Sequence, residues 1–446
     1  MKSLLIHGGR IIDPSQGIDE IGSLLITEDK ISWLGRGKAT PPQPDYDVLH
    51  VQGLILCPGF IDLHCHLRQP GFDEKETIAT GTRAAARGSF TTICCMPNTN
   101  PPLDSQTTVD YVKSTAATEG VIRVLPIGCI SRGRKDQELA PMDELASAGV
   151  IGFSDDGDPV LNSRLMQQAL DWSRISNLPI IDHCEDTSLT KGGQMNEGTI
   201  SQKLGLRGIP SAAEEIIVAR DLALAELTGG RLHIAHVSTE GSVDLIRRAK
   251  KKGIKVTAEV TPHHLTLTEE KVIGYNTNAK VNPPLRTKRD IQALIQGLKE
   301  NIIDIIATDH APHTKADKQC DFKLAASGIS GFETSLGSLM SLVHGGELTM
   351  ATLIAKLTSE PSKIIDNKYG KLGSLTVGAP ADITIFDPDL EWRVDANDFA
   401  SKGKNTPLEG SRLKGKVMAT ISQGKLVYKD DSIKVEGKVL DKVNYG

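Results

Sequence analysis

The feature that most constrains the fold is an alternation of short β-branched, apolar runs with longer Ala-rich amphipathic stretches, which begins near residue 54. The expected strands are 54–66, 91–96, 123–127, 149–153, 179–183, 231–236, 255–260 and 303–308. The expected helices between them include 76–87, 163–175, 212–227, 242–252 and 289–299. Strands joined by helices pair in parallel through crossovers, and eight such strands close naturally into a barrel. The pattern predicts an α/β fold with a TIM-type (β/α)₈ barrel over residues 55–369.

The competing arrangement of the same elements is an open, doubly wound parallel sheet. Such a sheet usually carries a Gly-rich phosphate-binding turn after its first strand. Here the sequence His-Cys-His-Leu-Arg, residues 64–68, occupies that place. The barrel is therefore the favoured prediction.

Both ends of the chain differ in texture from the central region. Residues 1–54 and 370–446 consist of short strand-like runs separated by Gly, Asp, Pro and Ser, which is typical of antiparallel sheets. Neither piece is large enough to bury a sheet face well by itself. We therefore expect the two ends to form one discontinuous, small β-sandwich domain.

Composition and charge exclude several classes of protein. The chain has 446 residues, 24% of them charged, and a formal net charge of -5, so no basic surface for nucleic acid or membranes is indicated. No apolar stretch approaches the length of a membrane span. The seven cysteines follow no repeating pattern and are interpreted as reduced thiols. These observations favour a cytoplasmic protein that binds neither nucleic acid nor membranes.

Histidines and carboxylates gather where the predicted strands end. His64 and His66 are two residues apart on one strand, so their side chains point to the same face. A lone histidine at a strand end is more often a buried structural residue than a ligand. However, the carboxyl ends of barrel strands carry the catalytic groups, and five of these ends together supply four histidines and several carboxylates: His64, His66, Asp155, Asp156, Asp182, His183, Glu185, His236 and Asp309. This combination predicts a metal centre.

Seven motifs that occur in order along the chain resemble the dihydroorotase family of the amidohydrolase superfamily. They are PGFIDLHCHLRQPG, MPNTNPP, DDGDPV, DHCED, AHVST, VNPPLR and ATDHAPH. The resemblance is to the bacterial class related to the dihydroorotase domain of large multifunctional pyrimidine enzymes. It covers nearly the whole chain, including a GSLTVGAPADITIFD segment that resembles the superfamily's returning β-domain.

The resemblance implies a set of metal ligands. Carried over motif by motif, they are His64, His66, His183, His236 and Asp309, with Asp156 in place of the carboxylated lysine that bridges the metals in many relatives. Asp155 is the alternative bridge, although it could equally cap a loop or contact a ligand. The implied cofactors are two divalent ions, most often Zn²⁺, although His/Asp sites also accept cobalt or manganese.

The resemblance also implies substrate contacts at His66, Leu67, Arg68, Asn98, Asn282, His313, Ser327 and Gly328. Arg68 suits bidentate capture of a carboxylate, although it could instead form a surface ion pair. Asn98 and Asn282 lie in turn-like sequences and could be turn formers, and His313 could support a metal ligand instead. Relatives commonly place an aromatic residue where this chain has Ser327, which puts the packing over the substrate ring in doubt.

The implied activity is reversible hydrolysis of (S)-dihydroorotate to N-carbamoyl-L-aspartate in de novo pyrimidine (UMP) synthesis. A metal pair that shares one hydroxide supplies the nucleophile, and Asp309 is the expected proton shuttle. The alternatives are a hydantoinase or allantoinase and a non-catalytic dihydroorotase-like scaffold. We expect a small-molecule substrate and, as the default assembly, a homodimer. The sequence leaves two alternatives for partners: the chain acts alone, or it associates with aspartate transcarbamoylase.

Overall fold

The computed structural model describes residues 3–37, 39, 41–42, 45–365 and 369–436. Parts of the predicted domains, residues 1–2, 38, 40, 43–44, 366–368 and 437–446, lie outside the described residues. The strands are β1 (Ser3–Asp13), β2 (Ile18–Thr27), β3 (Lys30–Arg36), β4 (Tyr46–His50), β5 (Ile55–Pro58), β6 (Phe60–Cys65), β7 (Phe90–Cys95), β8 (Arg123–Pro126), β9 (Ile180–Asp182), β10 (Met195–Asn196), β11 (Gly208–Ile209), β12 (Leu232–Ile234), β13 (Val256–Val260), β14 (Ile305–Ile306), β15 (Ile383–Arg393), β16 (Arg412–Ser422), β17 (Lys425–Lys429) and β18 (Val435–Glu436).

The helices follow the predicted alternation closely. They are α1 (Ile78–Arg87), α2 (Gln106–Glu119), α3 (Met142–Ala148), α4 (Ser163–Ser176), α5 (Thr187–Thr190), α6 (Thr199–Leu204), α7 (Ala212–Thr228), α8 (Glu240–Lys251), α9 (Pro262–Thr266), α10 (Lys288–Lys299), α11 (Lys315–Lys318), α12 (Phe332–His344), α13 (Met350–Leu357) and α14 (Ser359–Ile364). Several begin at a side-chain cap: Thr77 before α1, Thr239 before α8 and Thr287 before α10 each accept a backbone N–H of the first turn. No helix in the described ranges has the length and apolar character needed to cross a bilayer.

The central strands are parallel, as the alternation predicts. Strands β6, β7 and β8 form one parallel sheet, and β9, β12, β13 and β14 form another. Isolated parallel bridges link the two sheets on both sides: Gly128 and Ile180 each pair with Phe153, and Cys65 pairs with His310. The α/β class is therefore confirmed, and the predicted strand 149–153 is reduced to the bridging residue Phe153.

Both chain ends contribute to one nine-stranded sheet. Its main order is β17-β16-β15-β5-β1-β2-β3, and β4 pairs with both β1 and β18. Apolar residues from the two ends share one buried cluster, which includes Ile6, Ile11, Leu375, Ile383 and Met418. The sheet therefore depends on chain segments more than 300 residues apart in sequence.

Gly59 interrupts the predicted strand 54–66, so that its first half lies in the nine-stranded sheet and its second half among the central parallel strands. Strand β5 belongs to the nine-stranded sheet and β6 to the central parallel strands, and Gly59 lies between them. Its N–H donates to Asp382 O at 2.8 Å, and a Cβ at this position would overlap the Thr91 side chain. A close backbone approach thus marks the point where the chain leaves one sheet for the other.

We expect Ile383→Ala to lower the free energy of unfolding by about 2–5 kcal/mol, because the mutation leaves a cavity in the cluster that both chain ends build. Chemical denaturation followed by circular dichroism measures this change. Ile21→Ala is the matched control, because Ile21 lies on the same sheet but is 54% exposed, and its effect should stay within about 0.5 kcal/mol. Equal losses in the two variants would contradict the shared core.

Candidate metal centre and substrate cavity

Six side chains predicted as metal ligands converge at the carboxyl ends of the central strands. β6 carries His64 and leads directly into His66, His183 follows β9, and His236 follows β12. Each of the six is at most 5% exposed: His64, His66, Asp156, His183, His236 and Asp309. Groups up to 245 residues apart in sequence therefore share one buried site, because the carboxyl ends of parallel strands lie together.

Asp156 lies at the centre of four imidazoles. Its Oδ1 is 3.3 Å from His64 Nε2, 3.5 Å from His236 Nε2 and 3.8 Å from His183 Nδ1. Its Oδ2 is 3.5 Å from His66 Nε2. Burial opposes ionisation, but the positive charge of the surrounding histidines, that of His64 above all, holds the pKa of Asp156 well below its usual range.

Asp309 lies beside two of the same imidazoles. Its Oδ1 lies 3.0 Å from His66 Nε2 and 3.6 Å from His64 Nε2. Burial again opposes ionisation, while the hydrogen bond from His66 and the charge of His64 lower the pKa of the Asp309 carboxyl. Two ionised carboxylates among four imidazoles form a set of donors that a divalent cation could bind in place of protons.

The backbone at this site adopts the left-handed region at three non-glycine residues. The φ angles are 62° at Arg68, 32° at His236 and 45° at Asp309. Such conformations are sparsely populated by residues with a Cβ and persist where surrounding contacts impose them. Part of that support comes from Asp62, which accepts the N–H and the hydroxyl of Thr308, each at 2.7 Å, immediately before Asp309.

The two adjacent aspartates, Asp155 and Asp156, have different surroundings. Asp155 accepts hydrogen bonds from the N–H groups of Ile130 and Ser131, at 2.9 and 3.0 Å, and from the Ser131 hydroxyl. Burial raises the pKa of Asp155 to about 6. The Asp155 carboxylate therefore binds a neighbouring loop. Of the two aspartates, Asp156 is the one that faces the histidines.

The donor set fits divalent metal. Among the described residues, the groups His64/Asp156/His236 and His64/His66/Asp309 each place three ligand atoms within 4.8 Å of one another. His64 Nε2 and Asp156 Oδ1 are buried without a hydrogen-bond partner, which is costly unless a further group satisfies them. Imidazole nitrogen and carboxylate oxygen suit zinc and similar ions. His64 belongs to both groups, so its Nε2 is the atom they share.

A third group of possible ligands has a different character. Asp182, Cys184 and Asp221 also approach within 4.8 Å of one another. However, the Arg220 guanidinium lies 2.6 Å from Asp221 and 3.7 Å from Asp182, and so supplies the positive charge there. The contacts therefore support an internal ion pair behind His183 and give no reason to place a metal.

A cavity of about 210 Å³ opens onto the cluster. Most of the predicted substrate contacts line it: His66, Arg68, Asn98, Asn282, His313, Ser327 and Gly328. Leu67 does not line the cavity, because its side chain is 2% exposed and packs in the apolar core. Because that side chain is enclosed by the core, only the backbone of Leu67 remains available to a ligand.

Two of the lining asparagines hold histidines of the cluster. Asn98 Oδ1 accepts from His66 Nδ1 at 2.9 Å, and its Nδ2 donates to Asp156 O at 3.2 Å. Asn282 Nδ2 donates to Glu185 at 2.6 Å, and Glu185 Oε2 lies 2.8 Å from His183 Nε2. Both amides therefore orient the proposed ligands in addition to lining the cavity.

The far wall of the cavity is built by His313 and the segment that follows it. His313 Nε2 donates to Ser327 O at 2.9 Å, and burial lowers the pKa of His313 to about 3. Gly328 has a φ of 146°, and a Cβ there would lie 2.7 Å from Ala311 O. The wall therefore requires glycine at 328, and Ser327 lines the cavity next to it.

One residue close to the cluster had no signal in the strand-end pattern. Glu259, on β13, lies 2.6 Å from His64 Nδ1 and is completely buried. Burial opposes ionisation, but the His64 charge and the hydrogen bonds of His233 and His64 lower the pKa of Glu259 to about 2. Glu259 is the single charged residue of the strand Val256–Val260, and a charge inside such a strand is the sequence signal that could have identified it.

Comparisons with known proteins identify relatives of this chain. The family model described as dihydro-orotase-like matches residues 53–242. Dihydroorotases from Syntrophus aciditrophicus and Thermoanaerobacter sp. are 48% and 50% identical to the chain; each alignment covers 96% of this chain and 100% and 98% of the relative, respectively.

Solved structures of cyclic amidohydrolases share the fold. The L-hydantoinase (dihydropyrimidinase) from Arthrobacter aurescens has a TM-score of 0.86 at 23% identity, with 98% of each chain covered. The dihydropyrimidinase from Brevibacillus agri has a TM-score of 0.82 at 22% identity, covering 97% of this chain and 96% of its own. These identities support a shared fold alone, whereas the relatives of higher identity determine the family. The chain belongs to the dihydroorotase family.

Proposed function

We propose that this chain hydrolyses (S)-dihydroorotate reversibly to N-carbamoyl-L-aspartate in de novo pyrimidine synthesis, as a metal-dependent cyclic amidohydrolase. The observation that carries the proposal is Arg68, whose guanidinium lines the cavity next to the histidine–aspartate cluster. Relatives of 48–50% identity over nearly the full chain are named dihydroorotase, which supports the same reaction.

Arg68 is suited to bind the carboxylate of the substrate. Its Nε donates to Pro312 O at 3.2 Å, and one terminal nitrogen lies 3.4 Å from His313 Nε2. Within the described residues, no carboxylate lies within 4.0 Å of this guanidinium. Burial lowers the pKa of Arg68, although the group stays charged. A charged fork without a carboxylate partner favours a ligand that supplies one.

The proposed metal ligands are His64, His66, Asp156, His183, His236 and Asp309, and the Asp156 carboxylate lies close to histidines of both candidate groups. Bound divalent ions supply a strong nucleophile at neutral pH by lowering the pKa of water, and they polarise the carbonyl oxygen. Zinc and an occupancy of two ions per chain are part of the proposal. Support comes from the donor types and from the six candidate ligands in one buried cluster, which are more than a single four-coordinate ion needs.

Asp309 is the proposed catalytic acid and base. Its carboxylate lines the cavity and is held in the ionised form by the surrounding histidines. It can therefore accept a proton as water adds to the ring carbonyl and deliver that proton to the departing ring nitrogen. Arg68 and the asparagine amides hold the ring in place while this transfer occurs.

A hydantoinase or allantoinase activity is the alternative within the same fold. The hydantoinase structures share the fold at 22–23% identity, but a carboxylate-binding arginine favours dihydroorotate over an uncharged ring. A non-catalytic scaffold is the other alternative, and the presence of all six proposed ligands in one buried cluster argues against it.

The architecture that we propose is a (β/α)₈ barrel over residues 55–369 and a small β-sandwich from 1–54 and 370–446. The parallel bridges on both sides of the central sheets support the closed barrel. The nine-stranded sheet built from both ends supports the discontinuous domain, although β5 extends it to Pro58. The homodimer, the association with aspartate transcarbamoylase and the cytoplasmic location are proposals that rest on the sequence and the family.

Hydrolysis of dihydroorotate, followed by its ultraviolet absorbance, is the direct test of the proposed function. We expect ring opening by the purified protein, loss of activity after chelation, and recovery on addition of Zn²⁺. Hydantoin and allantoin are assayed in parallel and should react far more slowly. Faster turnover of either, or full activity without metal, would reject the proposal.

The two aspartates should differ in metal retention. We expect Asp156→Asn to lose most bound metal, because the carboxylate that four imidazoles face is removed. Asp155→Asn should retain it, because that side chain binds the loop at Ile130 and Ser131. Elemental analysis after dialysis against zinc measures both, and the opposite order would assign the bridging role to Asp155.

Arg68→Met should reduce kcat/KM for dihydroorotate about 30- to 5,000-fold, because the substrate carboxylate loses its charged partner. This factor corresponds to about 2–5 kcal/mol of activation free energy. Any residual turnover of an uncharged hydantoin should change much less. Arg132→Met is the control, because the Arg132 side chain is 55% exposed and pairs with Glu138. Equal losses on both substrates would show that Arg68 does not recognise the carboxylate.

A further inference from the structure

A completely buried carboxylate lies behind the proposed metal ligands. Glu259 is on β13 (Val256–Val260), is 0% exposed and does not line the cavity. The reaction described above assigns it no part. A fully desolvated charge is costly, so its contacts require an explanation.

The Glu259 carboxylate contacts two of the proposed ligands, His64 and His236. Its Oε1 lies 2.6 Å from His64 Nδ1 and accepts the His236 backbone N–H at 3.3 Å. Its Oε2 lies 3.1 Å from His233 Nε2. One side chain therefore contacts the imidazole of one proposed ligand and the backbone of another, at the residue where φ is 32°.

The first of these contacts determines the tautomer of His64. An ionised carboxylate can only accept, so the proton of the neutral imidazole must be on Nδ1. The lone pair of Nε2 then faces Asp156 and Asp309, which lie 3.3 and 3.6 Å away. Because Nε2 is common to both candidate ligand groups, the orientation of this single ring affects both.

A second histidine fixes the carboxylate itself. His233 is 1% exposed, and its Nδ1 lies 2.7 Å from the Thr257 hydroxyl. With Nδ1 accepting from Thr257, His233 Nε2 carries the proton and donates to Glu259. Thr257, His233, Glu259 and His64 thus form one continuous buried chain of hydrogen bonds.

The partner of His64 differs in charge and burial from the partners of two other proposed ligands, His66 and His183. His66 Nδ1 is held by the neutral amide of Asn98 at 2.9 Å. His183 meets a carboxylate, Glu185, but that side chain is 15% exposed. His64 is therefore the one of these three whose partner is both charged and completely excluded from solvent.

We propose that Glu259 is a positioning residue for the metal centre, which sets the tautomer of His64, aligns its Nε2 and increases its basicity as a ligand. The inference rests on the proposed function, because it takes His64 as a metal ligand. Carboxylates behind ligating histidines typically contribute 10–100-fold to metal affinity. Glu259 acts through His64 and touches no substrate.

The test is a titration of the metal-free, full-length protein with Co²⁺ in the presence of a competing chelator, with the visible absorption spectrum recorded. Glu259→Gln keeps an acceptor of the same shape but removes the charge, and Glu259→Met removes both. We expect the Kd for Co²⁺ to rise about 10–100-fold in Glu259→Gln and further in Glu259→Met, with an altered spectrum. If Glu259→Met fails to fold, Glu259→Gln decides the question alone.

The matched control is Asp13→Asn, which removes another completely buried carboxylate. Asp13 accepts from Ser15 N–H and Leu375 N–H in the sheet of the chain ends, so Co²⁺ affinity should stay within about twofold. Kinetics supply a second criterion: with saturating metal, Glu259→Gln should lower kcat for dihydroorotate and leave KM nearly unchanged.

Two results would overturn this inference and leave the proposed function standing. One is a Co²⁺ affinity and spectrum of Glu259→Gln equal to those of the unaltered protein. The other is an equal loss of affinity in Asp13→Asn, which would mean that any buried carboxylate has the same effect. Failure of the unaltered protein to bind Co²⁺ would instead overturn the metal-dependent function, and this inference with it.

Discussion

The site depends on the negative charge of Asp156, held in a pocket that excludes water. An ionised carboxylate at 3% exposure carries a desolvation cost of several kcal/mol unless other groups compensate. The four imidazoles around it offer that compensation, yet His64 Nε2 and Asp156 Oδ1 still lack hydrogen-bond partners. The cluster thus contains buried polar atoms that the protein itself does not satisfy, and a bound cation would satisfy them.

The surrounding structure holds these groups in a geometry that they would not adopt alone. Like charges and adjacent imidazoles tend to separate, but short buried strands fix the backbone beneath them. Asp62 binds both polar groups of Thr308 beside Asp309, and Asn98 fixes His66. The left-handed φ values at His236 and Asp309 indicate that the backbone is constrained here.

The C-terminal part of the chain contributes to the same site from outside the central strands. Asn405 donates to the carbonyls of Ala311 and Gly328, each at 3.0 Å. Ser401 donates to the buried Glu76, which also lies 3.4 Å from His310. The Asn405 contacts hold two residues that line the cavity, Ala311 and Gly328, so the C-terminal part of the chain supports the cavity wall as well as the nine-stranded sheet.

The sequence by itself determined the α/β class and most helix positions, because hydrophobic periodicity is a local property. Strand-end chemistry indicated a wider group of candidate ligands, and the family resemblance reduced that group to the six proposed here. Only the tertiary structure decided that Asp156 rather than Asp155 faces the histidines, since neighbouring residues on a loop are distinguished by what packs against them. It also decided that Leu67 is core, that Gly59 divides one predicted strand between two sheets, and that Glu259 lies against His64. Each of these depends on contacts between distant segments, and a buried charge such as Glu259 is understood only once its partners are in place.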